Sequence, residues 1–237
     1  MSREIAVGQR TSATQASSAP ERFYLALIGD IVHSREIRNR DVFQKTFHET
    51  MALLKTRYAS AITSPFTVTL GDEFQALLHT ASPLFEIVDD LQRHLSPHQF
   101  VLGLGVGPVE TEIYTHTAVG MDGPCFRLAR ENVEKCKRKP PRLRVSIHQF
   151  NADVVNALFH FLEDTRAHHT PRQREVIERY RALGTQEAVA RDMGISQSAV
   201  SQTLQSARYP LIETSEHAII AFLNQFLTGD VITQRRV

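Results

Sequence analysis

The chain has 237 residues, 42% of them hydrophobic and 22% charged, with a formal net charge of +1. That length is enough to bury a sizeable core in one large or two smaller domains, and the near-neutral balance excludes strong nucleic-acid binding through bulk positive charge. No apolar run approaches the ~20 residues of a membrane span. The two cysteines, Cys125 and Cys136, exclude a disulfide scaffold and point to a reducing cytoplasm.

Residues 1–20 are rich in Ser, Ala, Thr and Gln and lack the apolar block of a secretion signal, so they read as a disordered tail. The run FYLALI, 23–28, ends at Gly29 and suits a buried strand. A helix is predicted over 41–58, where Val42, Phe43, Phe47, Met51, Leu54 and Tyr58 recur near helical spacing. In the next segment Phe66, Val68 and Leu70 alternate with threonines, Gly71-Asp72 makes a turn, and 74–78 returns as the second arm of a β-hairpin. A helix over 82–95 has Pro83 at its first position. A strand over 100–106 contains Gly103 and Gly105 and is followed by Gly107, a helix covers 124–137, and a strand over 143–147 comes after the Pro140-Pro141 break.

The order is β-α-β-β-α-β, then α-β. Its first six elements predict an α+β fold: a ferredoxin-like (βαββαβ) palm-type domain, an antiparallel sheet with helices on one face. A helix over 152–165 connects this unit to the C-terminal segment, and the sequence HHTP, 168–171, reads as linker. The expected division is a tail at 1–20, the palm-like domain at 21–166 and an all-α domain at 170–237.

The second domain carries TQEAVARDMGISQSAVSQTLQSA, which reads as a helix, a turn around Gly194, Ile195 and Ser196, and a second helix. Thr185 is a good N-cap, Ala190 is small where two helices must meet, and Gly194 tolerates positive φ. This is the pattern of a helix-turn-helix, whose second helix lies in the DNA major groove. Ile195, Val200 and Leu204 form its apolar face. Gln197, Ser198, Ser201, Gln202 and Gln205 point outward as candidate base or phosphate contacts, with Arg208 close behind. An ordinary helical hairpin with a polar surface is the alternative. The last helix, 212–227, is placed either on the DNA-reading unit or in a dimer interface.

The first unit holds two acidic motifs. In GDIVHSR, Asp30 follows a buried apolar strand, where a carboxylate is poorly solvated unless something positive meets it. Gly29, Ser34 and Arg35 flank a turn whose backbone N–H groups suit a phosphate. In LGDEF, Gly71, Asp72 and Glu73 form the hairpin tip. Carboxylates brought together at one end of a sheet repel unless they share a cation, and Mg2+ or Mn2+ with a nucleotide's phosphates fits two of them. Asp30 reads alternatively as a helix cap, Asp72 as a turn residue, Glu73 as an exposed strand residue, and Arg130 as a structural partner, with Asp122 as the candidate mate. Cys125 has no His-Asp partners to make it a nucleophile.

The segments FYLALIGDIVHSR, VTLGDEFQALL, GLGVGPVET and AVGMDGPCFRLAR, in this order, resemble the SatD family over about 23–209. More distantly, they resemble the palm of class III nucleotidyl cyclases and GGDEF domains. That resemblance implies that Asp30 and Asp72 bind two metals and a nucleoside triphosphate, that the Ile31 carbonyl assists the metal, and that Arg130 stabilises the transition state. It also implies that Gly103, Gly105 and Gly107 continue the strand pattern after the metal hairpin. Phe126 stands where those cyclases carry an asparagine, and one glycine precedes Asp72-Glu73 where GGDEF domains have two. Loss of such a donor costs ~10²–10³ in rate. The expected function is a DNA-binding, transcription-regulating homodimer whose palm-like domain binds a divalent metal and a nucleotide. The alternatives are an active nucleotidyl cyclase or nucleotidyltransferase using Asp30 and Asp72, and a palm that serves only as a dimerisation scaffold.

Overall fold

The computed structural model describes residues 22–69 and 71–228, so the sequence readings for 1–20, Leu70 and 229–237 lie outside the described residues. The protein is a mixed α+β fold. In chain order it contains β1 (Tyr24–Ile31), α1 (Arg40–Arg57), β2 (Ile62–Val68), β3 (Glu73–Leu78), α2 (Leu84–Leu95), β4 (Phe100–Gly107), α3 (Pro124–Arg138) and β5 (Leu143–Ile147). Five helices complete the described chain: α4 (Asp153–Ala167), α5 (Pro171–Leu183), α6 (Gln186–Met193), α7 (Gln197–Ser206) and α8 (Tyr209–Leu227). None of the described helices is long and apolar enough to cross a membrane.

The strands form one sheet in the order β2-β3-β1-β4-β5. All neighbours are antiparallel except β4 and β5, which run parallel because α3 carries the chain back between them. Strand β1 is central and apolar on both faces. Its alternation sends Leu25, Leu27 and Ile31 into a large core, and Tyr24, Ala26 and Ile28 into a smaller core on the other face. Helices α1, α2, α4 and α8 contribute to the large core, while α3 covers the opposite face with Cys125, Phe126, Ala129, Val133 and Cys136. The sheet is therefore covered on both sides once α3 is counted. Burial pushes both cysteine thiols up to about 12, which keeps them protonated and inert.

Helix α3 lies against the backbone of β4 itself. A Cβ on Gly103 would stand 2.0 Å from the Ala129 carbonyl oxygen, and one on Gly105 would stand 1.9 Å from that of Cys125. No side chain fits there, so these glycines set how close the helix comes.

The structure adds one helix to the sequence reading. Helix α5 comes after the His-His-Thr-Pro segment and is capped by a reciprocal pair, Thr170 with Gln173, with Pro171 in its first turn. His169, read from sequence as linker, is buried, with a ring nitrogen 2.9 Å from the Ala207 carbonyl. Thr185 caps α6 by accepting from the Ala188 N–H, and Gly194 ends it at φ 63°. A third core joins Val176 of α5, Val189 and Ala190 of α6, Val200 and Leu204 of α7, and Tyr209. The sequence left two places for the last helix. It begins at Tyr209 rather than at 212, and beyond that residue its apolar side chains Ile212, Ile219, Leu223 and Phe226 join the large core of the sheet. Helix α8 thus ties the C-terminal helices to the sheet.

Replacing Gly105 with Ala forces α3 off β4, because the atom in the way is backbone and cannot rotate aside. The expected cost is about 1–3 kcal/mol or more, read as a lowered urea midpoint with an unchanged slope.

Candidate functional site

Strand alternation places the acids. The residues of β1 that face α3 are Tyr24, Ala26 and Ile28, so Asp30 continues that row, and β1 extends through Ile31 rather than ending before the acid. Glu73 is paired directly with Asp30 across β1 and β3, which puts both side chains on the α3 face. Asp72 precedes β3, and its carbonyl accepts the Ile31 N–H at 3.1 Å. Three carboxylates therefore gather at one end of the sheet, supplied by two strands and the tight turn before the second.

Each meets its own partner. Lys137 of α3 stands 2.8 Å from an Asp30 oxygen, Nζ to Oδ2. Arg130 of α3 grips Glu73 with two nitrogens, one of them 2.9 Å from Oε1, and Thr69 donates to the same Oε1 at 2.6 Å. Ser34, in the short 3-10 turn after β1, donates its hydroxyl to Asp72 Oδ2. Arg130 and Lys137 are seven residues apart, two helical turns on one face, so a single helix sets both cations over the pair. Lys137 is a site residue that sequence patterning does not single out, because it stands among Lys135, Arg138 and Lys139. Its signal was that spacing from Arg130.

The structure chooses among the alternatives that the sequence left open. Asp30 does not cap the following helix, since it is held by Lys137 and the 3-10 turn has no side-chain cap. Glu73 is not an exposed strand residue; its side chain is 8% exposed. Arg130 pairs with Glu73, and Asp122 is taken by Arg127 at 2.9 Å. Gly71 takes φ 50°, and its carbonyl accepts from Gln44 at 2.5 Å, which fixes the tip against α1. Arg35 is exposed, beyond the carboxylates. Phe126 is buried in the smaller core and supplies no polar donor.

The electrostatics separate the two central acids. Burial pushes the Asp30 carboxyl up; Lys137 opposes this, and the charges of Asp72 and Glu73 push the same way as burial. Burial also acts on Glu73, but Arg130 and Thr69 outweigh it and hold that carboxyl below its usual range. Arg130 and Lys137 are both pushed up by these carboxylates, against desolvation. Of the two central acids, Asp30 is the one whose charge is less satisfied. Among the described residues, no group of three or more His, Cys, Asp or Glu side chains is arranged to hold a metal ion.

On α7, Gln197, Ser198, Gln202 and Gln205 are exposed, as is Arg208 after it, whereas Ser201 is half-buried and points less freely outward than its sequence position suggests. Gln197 is engaged by Gln186 of α6 at 2.8 Å. Arg172 and Arg179 are tied to Glu175 and Asp192, each at 2.9 Å, while Arg191 and Arg208 have no acidic partner among the described residues.

A family model described as the SatD family matches residues 24–215. No curated protein matches the chain. Among solved structures, the chain is similar to a bacterial light-regulated adenylyl cyclase at 16% identity and a TM-score of 0.39, over 53% of this chain and 76% of that one. It is also similar to an adenylate/guanylate cyclase/hydrolase from Silicibacter pomeroyi at 17% identity and a TM-score of 0.39, over 59% and 80%.

Replacing Arg130 with Met leaves Glu73 buried without its cation. The expected loss at neutral pH is about 1–3 kcal/mol. Glu73 has its folded value depressed, so the pair's contribution is complete above the ordinary value of 4.5 and disappears as pH falls through the folded value. Urea unfolding from pH 7 down to acid should therefore show wild type and variant converging at low pH. A gap that stays constant would contradict the assignment.

Proposed function

The chain belongs to the SatD family, and we propose that it is a DNA-binding regulatory protein whose sheet domain binds a divalent cation with a nucleotide. In this reading residues 21–166 form a ferredoxin-like palm and 170–237 a helix-turn-helix domain. The observation that carries the nucleotide half is the gathering of Asp30, Asp72 and Glu73 at one sheet end, with Arg130 and Lys137 over them. The donor chemistry suits Mg2+ or Mn2+ on Asp30 and Asp72: two carboxylates whose charges disfavour each other are a sufficient protein contribution when phosphate oxygens complete the shell. Glu73 is outside that set, because Arg130 and Thr69 already occupy its oxygens. A cation bound there would neutralise polyphosphate charge. Lys137, released from Asp30, would then face the phosphates, Ser34 would orient Asp72, and Arg130 would remain braced by Glu73. Gly71 holds the hairpin turn at φ 50°, and Gly29 lies within β1, where it has no room for a side chain next to Phe74; the Ile31 carbonyl and Arg35 belong to the segment that follows Asp30.

Arg130, the residue assigned to catalysis by resemblance, is engaged by Glu73, and the residue at 126 is a buried phenylalanine. These two facts favour binding over turnover as a cyclase or nucleotidyltransferase. The DNA half rests on the exposed face of α7. There Ser198, Gln202 and Gln205 offer hydrogen bonds to base edges or phosphates, and Arg191 and Arg208 have charges left for phosphate. A homodimer reading two half-sites fits such a module.

Two measurements test the reading. Calorimetry with each of the four nucleoside triphosphates and Mg2+ should give saturable binding that Asp30→Asn abolishes; wild type that binds none would reduce the domain to a scaffold. Selection of duplexes from a random pool should yield a preferred site, and Gln202→Ala should weaken it by ~1–3 kcal/mol if this side chain makes a bidentate base contact. Failure to enrich any site would remove the DNA assignment.

A further inference from the structure

A cleft of about 730 Å³ lies between α2 and α4 on one side and α5 and α8 on the other. It is separate from the carboxylate site, and neither half of the proposed function uses it. Its volume is that of a small-molecule site. The floor is apolar: Phe85, Val88, Phe159, Leu162, Ile177 and Ile212 line it, and the Phe85 and Phe159 rings meet with centroids 6.1 Å apart.

The rim is rich in arginine, and its guanidinium groups are unequally satisfied. Arg166 and Arg181 are bound to Asp89 and Glu216, and Arg93 to Asp90 and Glu178. Even so, Arg181 Nε is buried with no hydrogen-bond partner among the described residues. Arg142 has its nearest carboxylate oxygen, on Glu163, 4.0 Å from Nε. Arg174 has no ion pair among the described residues. Arg142 and Arg174 are therefore the rim guanidinium groups least engaged by carboxylates, beside an apolar floor. A guanidinium short of partners in a half-enclosed site favours an anion. Asp89, Glu163 and Glu178 also face the cleft and would repel a highly charged polyphosphate.

We propose that this cleft binds an amphipathic organic anion: an aromatic or aliphatic body bearing one carboxylate, sulfonate or phosphate. The body lies on the Phe85–Phe159 floor, and the head group is met by Arg142 and Arg174. Because the walls come from elements before and after His169, the ligand touches both the sheet-side helices and the C-terminal helices. Its affinity therefore depends on how they are docked.

The test uses the full chain and 8-anilinonaphthalene-1-sulfonate, an apolar body with one anionic head, in a fluorescence titration. Saturable binding at one site is expected, with displacement by decanoate and not by Mg-ATP. Arg174→Glu and Arg142→Glu should each weaken binding at least about tenfold. Lys45→Glu, an equal change of charge on α1 away from the cleft, should leave it within about twofold. Neither Arg142 nor Arg174 is buried, so unchanged melting temperatures should show that the variants fold. Non-saturable dye binding, affinity unchanged in both arginine variants, or displacement by Mg-ATP alone would each overturn the proposal.

Discussion

Helix α3 resting on the bare backbone of β4 is the contact on which the arrangement of the sheet end depends. With glycine at 103 and 105, the carbonyls of Ala129 and Cys125 approach closer than any side chain would allow. The helix is then near enough for Arg130 and Lys137 to reach across to Glu73 and Asp30, on the central strand pair. A helix held a side chain's width further out would leave the buried Glu73 and the half-buried Asp30 without cations, a costly state in a poorly hydrated setting. One steric feature thus governs both the packing of the smaller core and the charge balance of the candidate site.

The same economy of charge recurs at the other face. Asp90 of α2 is held by Arg57, Tyr58 and Arg93. Its neighbour Asp89, with Glu216 of α8, receives Arg166 and Arg181. These groups join helices that are far apart in sequence, and removing one member would leave others buried without a partner. Together with the apolar residues of α8, they fix the C-terminal helices on the sheet. The α6–α7 pair itself packs on a small separate core of Val176, Val189, Val200 and Leu204. Its exposed face is therefore carried on a support anchored elsewhere.

The legible part of the sequence was local. Alternating and helical spacing marked most of the elements, because periods of two and 3.6 are imposed by backbone geometry before any tertiary contact exists. Helix α5 escaped that reading because its window is mostly polar, with Val176 its one fully buried side chain; its Thr170–Gln173 capping box was the available signal. The acids at the site were visible as Gly-Asp steps beside apolar strands. Their partners were not, since Lys137 lies in a run of basic residues that looks like a solvated helix end. His169 looked like linker for a related reason: a single histidine carries no mark of the carbonyl it will meet 38 residues later.

By itself the sequence determined most of the strands and helices, the cap at Thr185, the turn at Gly194 and the acidic hairpin tip, all of which arise from interactions among near neighbours. Tertiary structure alone decided that Asp30 faces Glu73, that Lys137 and Arg130 answer them, and that α8 returns to the sheet rather than staying with α7. Those outcomes depend on which side chains share a face after distant segments pack. Spacing along the chain specifies a face for each element, but only the packed core specifies what that face meets.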